Sequence, residues 1–310
     1  MDNEFSNKIN KFDCQKNVGI YMKIISISAF IVGKISLKTL YYNSNFSPFF
    51  CLYFRGVFLF MFNYILAYFM GLNVLEIPEL TYFDLIFRSV FGCLANFCSF
   101  VSNKILPVSI VTAIGYTSPV FVWLFGIFLL KETISKIEIL FLLVSLFGSI
   151  LIVLTSLLET GLSGNWYFYL LPFGGAICGA LAVNFMRKVN QKAHYVIPPT
   201  YLGLCIGTSF GSLMIWNETS DLPEIKPIAI ILLSSVCFFT FICQIFLSNS
   251  LKHEKAGRLA IIGYFEIVVY LVFDCFIFKE KISGLQFVGI IFIMIPNVFV
   301  TIMKGMGIIN

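Results

Sequence analysis

Charge is the first thing this chain lacks. Only 12% of its 310 residues are Asp, Glu, Lys or Arg, whereas 59% are hydrophobic, and the mean hydropathy is +0.92. Soluble domains carry about 25% charged residues, so a soluble domain is excluded and an integral membrane protein is expected. No basic run interleaved with aromatics is present, which argues against nucleic-acid binding. None of the nine cysteines forms a CxxC pair, so neither a disulfide framework nor a zinc site is supported. Eight of them fall in apolar segments, where they serve as small apolar residues. Nothing resembles a P-loop, so ATP is not a direct driver. HExxH, GxSxG and clustered carboxylates are absent too. The chain is therefore not expected to be an enzyme, and no cofactor or metal is expected. The N-terminus lacks an apolar core after a basic start, so no cleavable signal peptide is expected and the first spanning helix serves as the insertion signal.

A spanning helix needs about 20 mostly apolar residues. The sequence predicts ten such spans, at roughly 18–40, 48–70, 84–104, 108–130, 137–157, 165–187, 195–216, 228–250, 256–278 and 285–303. The fold expected is all-α, ten transmembrane helices between a tail at 1–17 and a tail at 304–310. Loop charge sets orientation, the cytosolic side holding the excess of Lys and Arg. With the N-terminus inside, twelve basic residues fall on inside loops and five outside, namely Lys38, Lys104, Lys226, Lys279 and Lys281. Both termini are therefore expected in the cytosol. Sequons at Asn45 and Asn217 fall on outside loops, close enough to the membrane that their use is not expected.

Offsetting the chain by 148 residues aligns "IGYTSPVFVWLFGIFLLKETIS" (114–135) with "IGYFEIVVYLVFDCFIFKEKIS" (262–283), with ten of 22 positions identical. Shared hydrophobicity does not explain the common Gly-Tyr and Lys-Glu-x-Ile-Ser. Ser135 with Glu138, and Ser283 with Gln286, form the S-x-x-E/Q pattern of a capping box at the start of a helix. Lys131 and Lys279 can reach the headgroups, so Glu132 and Glu280 read as architecture rather than as a site. The repeats are 18–157 and 165–303, each of five spans. Five is odd, so the second copy is inverted relative to the first. Inverted repeats with a site near the midplane mark secondary transporters.

The segment 88–154 carries an arginine opening the third span (Arg88), a mid-helix proline (Pro119), "LLKETIS" and a glycine in the fifth span (Gly148). In these features it resembles the EamA-type unit of the drug/metabolite transporter superfamily, with the flavour of the G-like members of solute carrier family 35. The second half matches more weakly: Glu266 and Ile267 stand where the first half has Ser118 and Pro119, and Pro296 replaces the glycine. The resemblance implies a ten-helix bundle, inverted five-helix repeats, cytosolic termini and a central solute cavity. Its substrates run from nucleotide sugars to amino acids, carboxylates and drugs, so it does not name the cargo. The final spans lack the basic motif of the sugar-phosphate translocators, which makes phosphorylated sugars a weaker expectation.

Charges at the bilayer centre cost at least a few kcal/mol and need a partner, a cavity or a route to the interface. Lys23, Lys38 and Arg88 lie near span ends and are expected to snorkel. Arg55 and Lys34 divide evenly between structure and function. Glu266 lies about 15 Å deep at 1.5 Å per residue from Ala256, too far to snorkel. It is expected to face the interior, paired, hydrogen-bonded or protonated. Tyr270 and Asp274 follow at one-turn intervals, giving a polar stripe that reads as the wall of a solute pathway. Glu266 then binds a cationic group or carries a coupling proton; the alternative is an ion pair with Arg55 or Lys34 that locks the halves. Asn96 and Gln244, equivalent at the same offset, either bind solute or join helices. Glycines at 175/179 and 203/207/211 indicate close helix packing, while His194 and His253 are expected in solvated loops.

The function expected is a secondary carrier of small organic solutes by alternating access, with proton coupling open. The competing reading is a scaffold or regulator that keeps the fold without transport. The partners expected are the solute and the lipid bilayer; a homodimer is left open. The C-terminal "MKGMGIIN" contains no retention signal, so the endomembrane system and the plasma membrane are not distinguished.

Overall fold

The computed structural model describes residues 2–44, 46–105, 111, 114, 115, 117–131, 135–160, 170–216, 227–263, 266, 269 and 284–305. Ten α-helices are described: α1 (Asp2–Asn43), α2 (Pro48–Phe69), α3 (Tyr82–Ile105), α4 (Ser118–Leu130), α5 (Lys136–Thr160), α6 (Leu170–Asn190), α7 (Ile197–Trp216), α8 (Pro227–His253), α9 (Ala256–Gly263) and α10 (Gly284–Gly305). A 3₁₀ turn, Glu79–Thr81, leads into α3. The protein is an all-α membrane protein. Among the described residues, five stretches are long and apolar enough to cross a bilayer: Val18–Asn43, Pro48–Phe69, Tyr82–Ile105, Leu170–Asn190 and Pro227–His253.

Local sequence explains several helix ends. Pro48 opens α2, where its missing N–H has no intrahelical partner to lose. Pro119 was expected inside a span but lies in the first turn of α4, after a turn at Thr117 whose N–H donates to the Ile114 carbonyl. Proline lacks the N–H that a continuous helix requires, so the chain breaks there. Lys131 ends α4 in a left-handed conformation (φ 51°), donating its N–H to the Gly126 carbonyl. Ser135 stands just before α5, as its capping reading requires, and its carbonyl accepts from the Ile139 N–H. Ser283 lies outside the described residues. The polar residues expected as an N-terminal tail continue α1; they contain neither Gly nor Pro to stop it.

The four most extensive pairings are α1 with α8, α3 with α6, α2 with α7 and α5 with α10, while α4 packs chiefly on α6 and less on α9. Exchanging α1–α5 for α6–α10 returns the same four: α1 with α8 becomes α6 with α3, and the other two map onto themselves. Glycines allow the closest of these approaches. A Cβ on Gly203 would stand 2.5 Å from the Phe60 backbone nitrogen across α2, and one on Gly56 would press on the Gly207 backbone nitrogen. Outward surfaces are apolar, with Phe83 and Phe128 each 77% exposed. That suits hydrocarbon surroundings and would be costly in water.

Candidate functional site: a charged cavity between the halves

Helices from both halves leave two adjacent cavity lobes of about 310 and 250 Å³ that share lining residues, large enough together for a small organic molecule. Lys34, Gly179 and Gln244 line both lobes. Helical spacing decides which side chains arrive there. On α1, Lys23, Ser26, Phe30 and Lys34 recur at three- and four-residue intervals, which places them on one face. On α3, Arg88, Gly92, Ala95, Asn96 and Ser99 do the same.

The larger lobe holds Lys23, Lys34 and Glu266. Lys34 Nζ lies 3.9 Å from Glu266 Oε1 and 4.6 Å from the centre of the Phe30 ring. The mid-membrane carboxylate thus meets one of its two candidate cations at the cavity wall. The smaller lobe holds Arg55 and Arg88, each only 3% exposed. Arg55 donates to Asn96 Oδ1 and stacks over Phe100 at 5.2 Å. Asn96 in turn donates to the Gly92 carbonyl at 2.6 Å. Arg88 Nη2 donates to Gln244 Oε1 at 3.1 Å, joining α3 to α8 across the halves. The Nε atoms of both arginines are buried without a hydrogen-bond partner among the described residues.

The expected snorkelling of Lys23 and Arg88 is corrected. Both line the cavity, because each shares its helix face with other cavity residues. On α3, Asp84, one turn before Arg88, accepts from Lys188 Nζ of α6 at 2.8 Å. The inward face was legible in the three- and four-residue steps of Lys23, Ser26, Phe30 and Lys34, and of Arg88, Gly92, Ala95 and Ser99; depth along the span alone concealed it. Asn96 and Gln244 each hold an arginine, so they join helices as well as lining the cavity. Arg55 pairs with Asn96 rather than with Glu266. Tyr270 and Asp274 lie outside the described residues.

At the end of the bundle that carries Lys188, further bonds pack α6 against α8. Arg187 donates to the Leu251 carbonyl, and Asn190 Nδ2 donates to the Ser248 carbonyl at 2.6 Å. Arg258 and Glu254 form a buried pair at 3.0 Å nearby. His194, outside the spans, has its imidazole pKa lowered by partial burial first and by Lys252 second.

A helical bundle whose halves pair across a buried, charged cavity has the architecture of a polytopic membrane protein. The chain belongs to the EamA-like transporter family, whose model matches residues 19–154 and 166–302. It is 28% identical over 231 residues to solute carrier family 35 member G1 of Homo sapiens, a match covering 71% of this chain and 62% of that one. It is 23% identical over 211 residues to the pseudopaline exporter CntI of Pseudomonas aeruginosa, covering 68% of this chain and 72% of the exporter. A solved crystal structure, 16% identical, superposes with a TM-score of 0.73 over 92% of this chain and 97% of its own, which gives the fold alone.

Proposed function

We propose that this protein is a secondary carrier of small organic solutes that works by alternating access. Its membrane region is read as ten spans in two inverted five-helix repeats, 18–157 and 165–303, with both termini cytosolic. The self-consistent pairing of the halves and the two family matches support that arrangement. The observation that carries the reading is the cavity between the halves, with Lys34 and Glu266 facing each other across 3.9 Å on its wall. That separation exceeds a hydrogen bond, so the pair is held by charge rather than by a direct bond. Rocking one half against the other about such a site moves it from one side to the other. A proton on Glu266 would remove its attraction for Lys34, which gives the coupling a chemical form. The relatives' descriptions as a solute carrier and an exporter favour transport over the scaffold reading.

The test is efflux. Phosphatidylcholine vesicles containing the purified protein are loaded with a cell metabolite extract, and what leaves is identified by mass spectrometry. Metabolites leaving faster than from protein-free vesicles, with slower efflux or an altered pH response in Glu266→Gln, support the carrier. No metabolite leaving faster than from protein-free vesicles favours the scaffold.

A further inference from the structure

We infer that the smaller lobe is an anion subsite, and that the solute carries a carboxylate or phosphoryl group seated between Arg55 and Arg88. This deepens the carrier reading and rests on it. Both arginines are 3% exposed and line one lobe of about 250 Å³. Their hydrogen-bond acceptors, Asn96 Oδ1, Gln244 Oε1 and, at 3.9 Å from Arg88 Nη2, Met186 Sδ, are all neutral. Each guanidinium keeps a buried Nε without a partner among the described residues.

Two like charges held in a buried lobe by neutral acceptors are costly. A cavity between them offers the compensation an anion would supply. Guanidinium suits that task because its planar fork takes two oxygens of a carboxylate or phosphoryl group at once. Among the described residues, the carboxylate that faces the cavity is Glu266, which lines the other lobe and sits against Lys34. With Lys23 and Lys34 as well, four cations face that one carboxylate among the described residues. The lobes therefore divide the work. Arg55 and Arg88 take the anionic head, and the Lys34–Glu266 lobe takes the rest of the molecule. These arginines lie in α2 and α3, so the subsite does not depend on basic residues in the final spans.

The test is thermal unfolding of the full chain in a zwitterionic detergent at constant ionic strength. The probes are citrate, succinate and glycerol 3-phosphate as anions, glycerol and glucose as neutral solutes, and putrescine and choline as cations. Phosphatidylglycerol is a separate arm, because a lipid headgroup shares the same chemistry. At least one soluble anion should raise the unfolding temperature, the neutral and cationic probes should not, and Arg88→Gln should remove the effect. Gln244→Glu is the second variant. It keeps the guanidinium and puts a resident carboxylate in the place of the Gln244 amide, 3.1 Å from Arg88 Nη2, so it should block the added anion without leaving a buried charge unpaired.

Silence from every soluble anion overturns the subsite. So does an anion effect that persists undiminished in both variants, or a shift from phosphatidylglycerol alone. The vesicle experiment separates this failure from that of the carrier. Efflux confined to neutral or cationic metabolites keeps the carrier and overturns the subsite. Anion binding lost in both variants, with no metabolite efflux, keeps the subsite and removes the carrier.

Discussion

Lys188 Nζ lies 2.8 Å from Asp84 Oδ1, a charged bond between α6 and α3 and therefore between the two halves of the molecule. The lysine side chain is 36% exposed and the aspartate 10%. Partly solvated pairs contribute at most about 1 kcal/mol, so the bond contributes more to closing that end of the bundle than to overall stability. Asp84→Asn should leave thermal unfolding nearly unchanged. It should also speed the reaction of a cysteine at the fully buried position Ser248 with a water-soluble thiol reagent. Unchanged labelling would show that the pair holds nothing shut.

Close packing of α2 on α7 leads to a contrast between two glycines. A Cβ on Gly203 meets Phe60 N at 2.5 Å, Phe60 Cα at 3.0 Å and Gly56 O at 3.1 Å, all backbone atoms with little room to yield. Gly203→Ala should cost about 1–3 kcal/mol, the usual range for overpacking. Gly179→Ala meets the Ala95 Cβ at 3.8 Å, an ordinary contact, and should be neutral or slightly stabilising through helix propensity. Detergent unfolding of the two variants side by side decides it; equal effects would contradict the packing.

The same 3.8 Å separation offers a crosslink. Disulfides bring Cβ atoms to about 3.8 Å, so Ala95→Cys with Gly179→Cys should bond on mild oxidation, in a background with Cys98 and Cys178 replaced by serine. The bond ties α3 to α6 across the cavity. Metabolite efflux should stop on oxidation and return on reduction. Crosslinked protein that still carries solute at full rate would exclude rocking between these helices.

Lys34 and Glu266 should be energetically coupled. Contacting residues show interaction energies of roughly 0.5–3 kcal/mol in double-mutant cycles. Lys34→Met and Glu266→Gln should each destabilise the protein, and the double variant should lose less than their sum. Strict additivity would mean that the 3.9 Å approach carries no energy.

The membrane class and the interior position of Glu266 were legible in the sequence, because an apolar run around a carboxylate leaves few alternatives. The two-half organisation was legible from the Gly-Tyr and Lys-Glu-x-Ile-Ser identities. The inward turn of Lys23 and Arg88 was not read, since distance from a span end measures depth and says nothing of direction around the helix. The pairing of Arg55 with Asn96 was hidden for another reason: their helices are 41 residues apart at that contact, and no local pattern marks it. Pro119 was placed inside a span because hydropathy ignores the missing N–H that ends a helix there.

The pairing of helices has a consequence for biosynthesis. For α1, α2, α3 and α5 the chief neighbour belongs to the second half of the chain. Among the described residues, the most extensive packing therefore runs between the halves rather than within either one. The first five helices reach the membrane before most of their lasting contacts have been translated. A ribosome that stalls near residue 160 would leave them with glycine-lined grooves and buried arginines facing lipid, a product fit for degradation rather than for assembly.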